Sequence, residues 1–317
     1  MILITGGLGF IGLHTARALV DLGEQCVLTQ YRVAREPDFI KGEIGKSVFI
    51  EQLDVTSAES YLAVGEKHKI TGIVHLAVPG LGALDPAGDF RVNMFGLLNT
   101  LEAAQRWEVD RLSVASSIAV YTGVSAPLPL SESMPLPFTG GNPTEAYKKS
   151  YEILSGHFAQ RAGLNLTILR IGGIWGPLYH SMANLPSRLV HAAVKGEVPK
   201  LEGPRGLPYA EDGGDLCYVK DCGRGIALLQ VAGKLNHGTY NVSSGRPTTN
   251  QQILDAVRAV IPEFEVEIPA GHGPGSPAEV PYLDQSRIRE EVGYEPQYSV
   301  ESGIADYIAW LRAGNAE

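Results

Sequence analysis

The sequence predicts an α/β fold: a doubly wound parallel sheet (Rossmann-type) with a smaller, mixed C-terminal substrate lobe. Two observations carry this expectation. Over residues 1–171, short apolar runs alternate with helix-like stretches, a rhythm that implies parallel strands joined by right-handed crossovers. From about Trp175 the rhythm breaks: proline and glycine become frequent, strands shorten, and the alternation turns irregular.

The chain is organised around its first dozen residues. Residues 1–5 (MILIT) form an apolar run, Gly6-Gly7-Leu8-Gly9-Phe10-Ile11-Gly12 follows directly, and a helix-like stretch covers 13–22 before Gly23. Strand, glycine turn and helix in succession point to dinucleotide binding. Gly6 permits the tight turn, Gly9 lets backbone N–H groups approach a pyrophosphate, and Gly12 lets the helix pack on the strand. The phosphates then sit at the positive helix N-terminus. A glycine-rich turn without a ligand is the alternative.

The remaining elements follow in order. Residues 25–30 (QCVLTQ) read as the second strand and 47–51 (SVFIE) as the third, ending near Asp54. Residues 71–77 (TGIVHLA) form the fourth, preceded by a Lys/Glu-rich helix. A long helix over 89–107 is apolar on more than one face, at Phe90, Met94, Phe95, Leu97, Leu98 and Leu101. Then come a fifth strand at 111–115, a long helix at 144–162 and a sixth strand at 166–171. Beyond these, 238–242 reads as a strand and 250–260 as a helix. The division expected is a dinucleotide-binding domain over 1–175 and a substrate-binding lobe over 176–317, some of whose segments return to the first. In such sheets the ligand lies beyond the carboxyl ends of the strands.

Bulk properties narrow the function. The 317 residues carry 35 acidic against 26 basic side chains, a net charge of −9, with no basic block. That argues against nucleic acid or an anionic membrane surface as partner. No apolar stretch is long enough to span a bilayer, and with Met1 opening the first strand no targeting segment is expected ahead of it. Cys26, Cys217 and Cys222 are odd in number and lack a pairing pattern, which fits a reducing, cytoplasmic setting. No metal site is expected.

Several pieces together resemble the extended short-chain dehydrogenase/reductases, in their NAD-dependent epimerase/dehydratase branch. They are Thr5-Gly6-Gly7-Leu8-Gly9-Phe10-Ile11-Gly12, Leu53-Asp54-Val55, His75-Leu76-Ala77, Asn93-Met94-Phe95-Gly96, Ser116-Ser117-Ile118-Ala119-Val120-Tyr121, Leu169-Arg170 and Tyr218-Val219-Lys220-Asp221. The resemblance runs over nearly the whole chain. It implies that Asp54 and Val55 contact the adenine, Ala77 lines the cofactor cleft, and Asn93 holds the active-site end of its helix.

At the end of the second strand an acidic residue suits the ribose 2′-OH of NAD, and an arginine suits the 2′-phosphate of NADP. Gln30 stands there, followed by Tyr31, Arg32 and Arg35. The expected cofactor is NAD(P), with NADP favoured.

The resemblance assigns the reacting oxygen to Ser117, with Ser116 as a neighbour that can substitute, and to Tyr147 as proton carrier. In the family a lysine one turn beyond the tyrosine binds the nicotinamide ribose and lowers the phenol pKa. Tyr151 stands at that place, and no YxxxK occurs in the chain. Lys148 and Lys149 are not straightforward replacements, because positions one and two apart on a helix face different ways. Tyr151 binds the ribose, a basic residue from elsewhere replaces the charge, or the site binds without turnover: all three readings stay open.

The substrate side also departs from the nucleotide-sugar members. Gly173 occupies their asparagine position, Gly214 their first arginine position, and residues 271–277 contain no arginine. Each change removes charge-assisted bonds to a diphosphate. Asn184-Leu185 still resembles the nucleotide-contacting pair, and Arg188 or Arg205 offers an alternative anion site. Tyr179, His180 and His272 are weaker candidates for facing substrate. A proline-rich loop over 125–143 suggests a stiff cover.

The leading expectation is hydride transfer at a secondary alcohol or ketone carbon of a sugar-like small molecule. The alternatives are a dehydrogenase/reductase of a smaller non-nucleotide alcohol or ketone, and a non-catalytic dinucleotide-binding protein. A homodimer is expected through the two long helices, which match those paired across a two-fold axis in family members.

Overall fold

The computed structural model describes residues 1–32, 34–79, 84–203 and 206–315. Seven strands form one parallel sheet in the order β3-β2-β1-β4-β5-β6-β9. They are β1 (Ile2–Thr5), β2 (Cys26–Gln30), β3 (Val48–Gln52), β4 (Gly72–His75), β5 (Arg111–Ser117), β6 (Leu166–Ile171) and β9 (Thr239–Val242). Every neighbouring pair is parallel. β9 comes from the C-terminal half of the chain and extends the sheet beside β6.

The apolar runs reflect burial on both faces, as in parallel sheets covered by helices. Side chains alternate across a strand, so Ile2 and Ile4 join one core cluster while Leu3 joins the other. The first cluster lies under α1 (Phe10–Asp21) and α6 (Val219–Val231). The second lies under α2 (Ala58–Lys67), α3 (Pro86–Arg106) and α4 (Pro143–Ala162). The chain leaves β1 toward β2 and later returns on its other side at β4. That reversal opens a crevice at the carboxyl ends of β1 and β4.

The C-terminal half adds a small sheet, β10-β8-β7, built from β7 (Gly173–Trp175), β8 (Gly213–Tyr218) and β10 (Pro247–Thr249). Around it α5 (Leu185–Lys195), α7 (Asn250–Val260) and α9 (Val300–Arg312) share a third core with Trp175 and Tyr218. The short helix α8 (Ser286–Val292) packs beside β9 and α6. Among the described residues no helix is long and apolar enough to cross a membrane.

Candidate active site

The turn after β1 is built from backbone. Gly6 has φ +67°, and a Cβ there would stand 3.1 Å from the Ala77 backbone. At Gly12 a Cβ would come 2.5 Å from the Gly6 carbonyl oxygen and 2.8 Å from the Gly7 Cα. Side chains at these positions would fill the cradle between β1 and α1. Gly9 occupies the N-cap of α1, where no side chain caps the helix and the first turn has no carboxylate. The first N–H groups of α1 therefore present the positive end of the helix at the β1–β4 crevice. Phe10 and Ile11 are half-buried beside it, and the Phe10 ring meets Tyr179 edge-on with centroids 4.9 Å apart. These residues fit a dinucleotide.

Along the rim, Gln30 ends β2 and its Oε1 accepts the Arg35 N–H at 3.0 Å. The Arg35 guanidinium folds back onto the glycine turn and donates to the Leu8 carbonyl. Arg32 instead lies over the Tyr31 ring, 4.6 Å from its centroid. Gln30, Ala34, Arg35 and Glu36 line a hollow of about 430 Å³ with Ile44 and Ile50. Asp54 Oδ1 accepts from the N–H and hydroxyl of Thr56, which shapes the loop after β3. Asn99 on α3 holds the Val55 carbonyl at 2.9 Å. Ala77 follows β4 and donates its N–H to Thr5 Oγ1 at 3.4 Å.

The α3–α4 side is built from side chains. Ser117 ends β5, and its Oγ caps the following turn by accepting the Ala119 N–H at 3.1 Å. The hydroxyl of its neighbour Ser116 is buried and donates to Glu152 at 2.5 Å. Glu152 in turn forms a forked pair with Arg170, whose Nη1 reaches the Tyr121 hydroxyl. Tyr147 lies near the Asp89 carboxylate: burial, and after it the Asp89 charge, raises its phenol above the ordinary value. Asp89 accepts from Asn93 Nδ2 at 3.2 Å.

Tyr151 is buried to 1% exposure, and its hydroxyl donates to Asn93 Oδ1 at 3.0 Å and lies 3.2 Å from the Asn93 carbonyl. Burial pushes its pKa up as well. Asn93 thus ties α3 to α4. The two lysines separate. Lys149 faces away and clamps the proline-rich loop, donating to the Pro137 and Thr139 carbonyls and to Glu145. Lys148, three residues before Tyr151 and hence on the same face, runs beneath its ring at 4.6 Å. Its Nζ donates to the Ala115 carbonyl at 2.7 Å. Burial pulls this amine down to about 7. The other end of the loop is pinned where Leu130 and Tyr282–Asp284 exchange backbone bonds.

On the substrate side, both polar ends of Asn184 are engaged. Oδ1 caps α5 by accepting the Ser187 N–H at 2.9 Å, and Nδ2 donates to the Ile174 carbonyl at 3.1 Å. Arg188 is not a free anion site, because its guanidinium donates to the carbonyls of Met182, Ala183 and Leu201. Arg205 lies outside the described residues. Gly173 packs against the Asp215 carbonyl, and Gly214 faces open space. His272 pairs with Glu211 and Asp212. His180 is exposed.

Sequence reading did not find the roles of Lys148, Asp89 and Glu152. The i,i+3 spacing of Lys148 and Tyr151 and the i,i+4 spacing of Asp89 and Asn93 were available signals. The partners from other elements were not.

The family model described as NAD dependent epimerase/dehydratase family matches residues 2–243. The UDP-glucuronate 4-epimerase of Thermodesulfobacterium geofontis is 26% identical over 326 residues, covering 98% of this chain and 95% of that protein. Among solved structures, the UDP-glucose 4-epimerase of Thermotoga maritima with UDP-glucose superposes with a TM-score of 0.81 at 24% identity, covering 99% of both chains. The Thermus thermophilus UDP-glucose 4-epimerase in complex with NAD superposes with a TM-score of 0.76 at 25% identity, covering 98% of both chains.

Proposed function

The chain belongs to the NAD dependent epimerase/dehydratase family, and from that membership we propose that it is a nicotinamide-dinucleotide enzyme acting by hydride transfer at a carbinol or ketone carbon of a sugar-like substrate. The observation that carries this reading is the uncapped N-terminus of α1, held by Gly6, Gly9 and Gly12 against Ala77 at the strand edge where Ser117 also ends. In this reading residues 1–175 bind the dinucleotide and 176–317 receive the substrate.

The α1 N–H groups beside Phe10 and Ile11 hold the pyrophosphate, Asp54 and Val55 meet the adenine, and Ala77 borders the nicotinamide ribose. Gln30, Arg32 and Arg35 surround the adenosine ribose. NADP is favoured because Gln30 brings no negative charge and Arg35 is already anchored beside the glycine turn. Ser117 and Tyr147 hold the reacting oxygen. Asn93 fixes Tyr151 and Asp89, so Tyr151 acts by packing below the ribose. When bound, the dinucleotide takes or returns a hydride at its nicotinamide ring. The matching proton moves from the substrate oxygen to the Tyr147 oxygen while the phenol proton passes to Asp89, and returns by the same route. A carboxylate thus stands in the relay where a lysine is missing.

Asn184 borders the substrate from the α5 end. A second reading, a smaller non-nucleotide alcohol or ketone, is favoured by Gly173, Gly214 and the engagement of Arg188, which leave no diphosphate anchor among those described positions. One preparation separates the two. Purified protein is titrated with NAD and NADP and then offered UDP-glucose, UDP-glucuronate and small secondary alcohols. Epimer formation without net change at the reduced-nicotinamide band supports the first reading, and net band change with a small alcohol supports the second. Binding of neither dinucleotide rejects both.

Two further proposals accompany this reading. Phe90, Phe95 and Leu98 on α3 and Ile153 and Leu154 on α4 are exposed large apolar side chains, which supports a homodimer through these helices. A monomer in sedimentation would reject it. The three cysteines are buried and free, in keeping with a reducing, cytoplasmic setting.

A further inference from the structure

Lys148 is a buried cation that the relay just described does not use. Its side chain reaches the sheet where β4 has already ended: the last β4–β5 pair is His75 with Val114, and the Ala115 carbonyl lies one residue beyond. Ala77 and Ser117 flank the same edge. An ammonium has three protons to donate, and Lys148 has one acceptor and no carboxylate partner among the described residues. Its other neighbour is the face of Tyr151. An uncompensated buried charge is costly, and a methionine would fill the same space without that cost. Such a group in a cleft is a candidate for function.

We infer that Lys148 is the positive charge of this active site, acting from beneath Tyr151 at the open end of the β4–β5 pair, in place of a lysine at position 151. It is a positioning residue: it touches neither substrate nor cofactor, and it biases the charge at the edge where the nicotinamide end would lie. The inference rests on the dinucleotide reading above.

Its surroundings leave Lys148 free to titrate alone. On β4, His75 is kept neutral by burial and then by Lys148, at about 3, and its Nε2 has no hydrogen-bond partner among the described residues. On α3, Asp89 accepts from Asn93 and its charge acts on Tyr147. On α4, Glu152 is neutralised by Arg170 from β6. Tyr121, in the turn after β5, has its phenol raised by burial, as do Tyr147 and Tyr151. Lys148 itself, pulled down to about 7 by burial, changes charge in the neutral range.

The consequence is a difference between the two redox forms of the cofactor. The oxidised nicotinamide ring is a cation and the reduced ring is neutral, while the pyrophosphate is common to both. A protonated Lys148 opposes only the oxidised ring. As pH rises through about 7 the amine loses its proton, and affinity for the oxidised form rises relative to the reduced form. Two like charges at one partly buried edge make the change on the order of ten-fold.

The test is equilibrium binding of oxidised and reduced dinucleotide between pH 6 and pH 8.5, in the wild type and in Lys148→Met, with Lys149→Met as control. The wild type and the control should show the oxidised-to-reduced dissociation-constant ratio falling about ten-fold, and Lys148→Met a flat ratio. The same slope in Lys148→Met would overturn the inference. Should that variant not fold, calorimetry of the wild type in two buffers of different ionisation enthalpy gives the protons released. More release with the oxidised form at pH 7 supports the inference, and equal release with both forms overturns it alone. Binding of neither form by the wild type overturns the dinucleotide reading and the inference with it.

Discussion

The glycine turn and the α3–α4 helix pair serve the same edge of the sheet, but they are made of different material. At the turn the chemistry is carried by the backbone: φ +67° at Gly6, helix N–H groups, and a cradle that any Cβ would fill. Between the long helices it is carried by side chains whose partners come from other elements, such as Tyr151 to Asn93 and Lys148 to the Ala115 carbonyl. A backbone site tolerates almost no substitution but many neighbours. A side-chain site can be rewired one residue at a time: in the proposal above Tyr151 fills the place of a lysine, and Lys148, three residues earlier on α4, brings the charge.

The comparison can be broken most forcefully through the buried pair behind Ser116. Arg170→Ala leaves Glu152 charged and unmatched under the sheet, and should cost about 3–5 kcal/mol of stability in a denaturant titration. Glu152→Gln in the same background should recover part of it. No recovery would mean that the forked pair is not what holds the α4 side.

Next is Gly12→Ala. The added methyl meets the Gly6 carbonyl and the Gly7 Cα, both backbone and unable to turn aside. A loss of about 1–3 kcal/mol is expected, with dinucleotide binding lost beyond what the stability change explains. A variant that binds normally would show that the turn is merely a turn.

A pH-dependent effect separates Lys148 from its surroundings. Its pKa is depressed by burial to about 7 from an unfolded value of 10.5. Between those values the unfolded chain binds the extra proton, so stability should rise with pH from about 7 toward 10, by at most about 1.4 kcal/mol per pH unit. Lys148→Met should lack that rise. Chemical unfolding at pH 7, 8 and 9 reads the difference.

How much of this was readable from the chain follows the same division. β6 and α7 were located to the residue, because a continuous apolar strand and an amphipathic helix each leave a periodic trace. β1, β2 and β5 were off by one or two residues at their ends. β7, β8 and β10 were not placed: they are short, glycine- or proline-containing, and held by each other rather than by a pattern of their own. α6 went unplaced because Gly223 and Gly225 weaken its helical signal. Gly223 is glycine because α6 crosses α1 so closely that a Cβ would meet the His14 carbonyl carbon and oxygen at 2.6 Å. In the site, Gly6, Gly9 and Gly12 were readable as geometry. Asp89 beside Tyr147 was not, since nothing local joins residues 58 apart. The clamp between Glu145 and Lys149 was open to reading as an i,i+4 pair.

The central claim is that the two regions do separate work: the turn binds the dinucleotide, and Tyr147 with Asp89 moves the proton. It is tested most directly by Tyr147→Phe. Dinucleotide affinity would be measured by titration, and interconversion of UDP-glucose or UDP-glucuronate would be followed by the anomeric proton resonance. The account predicts affinity unchanged within about two-fold and turnover lowered by about 10²–10⁴. Turnover equal to that of the wild type would contradict it.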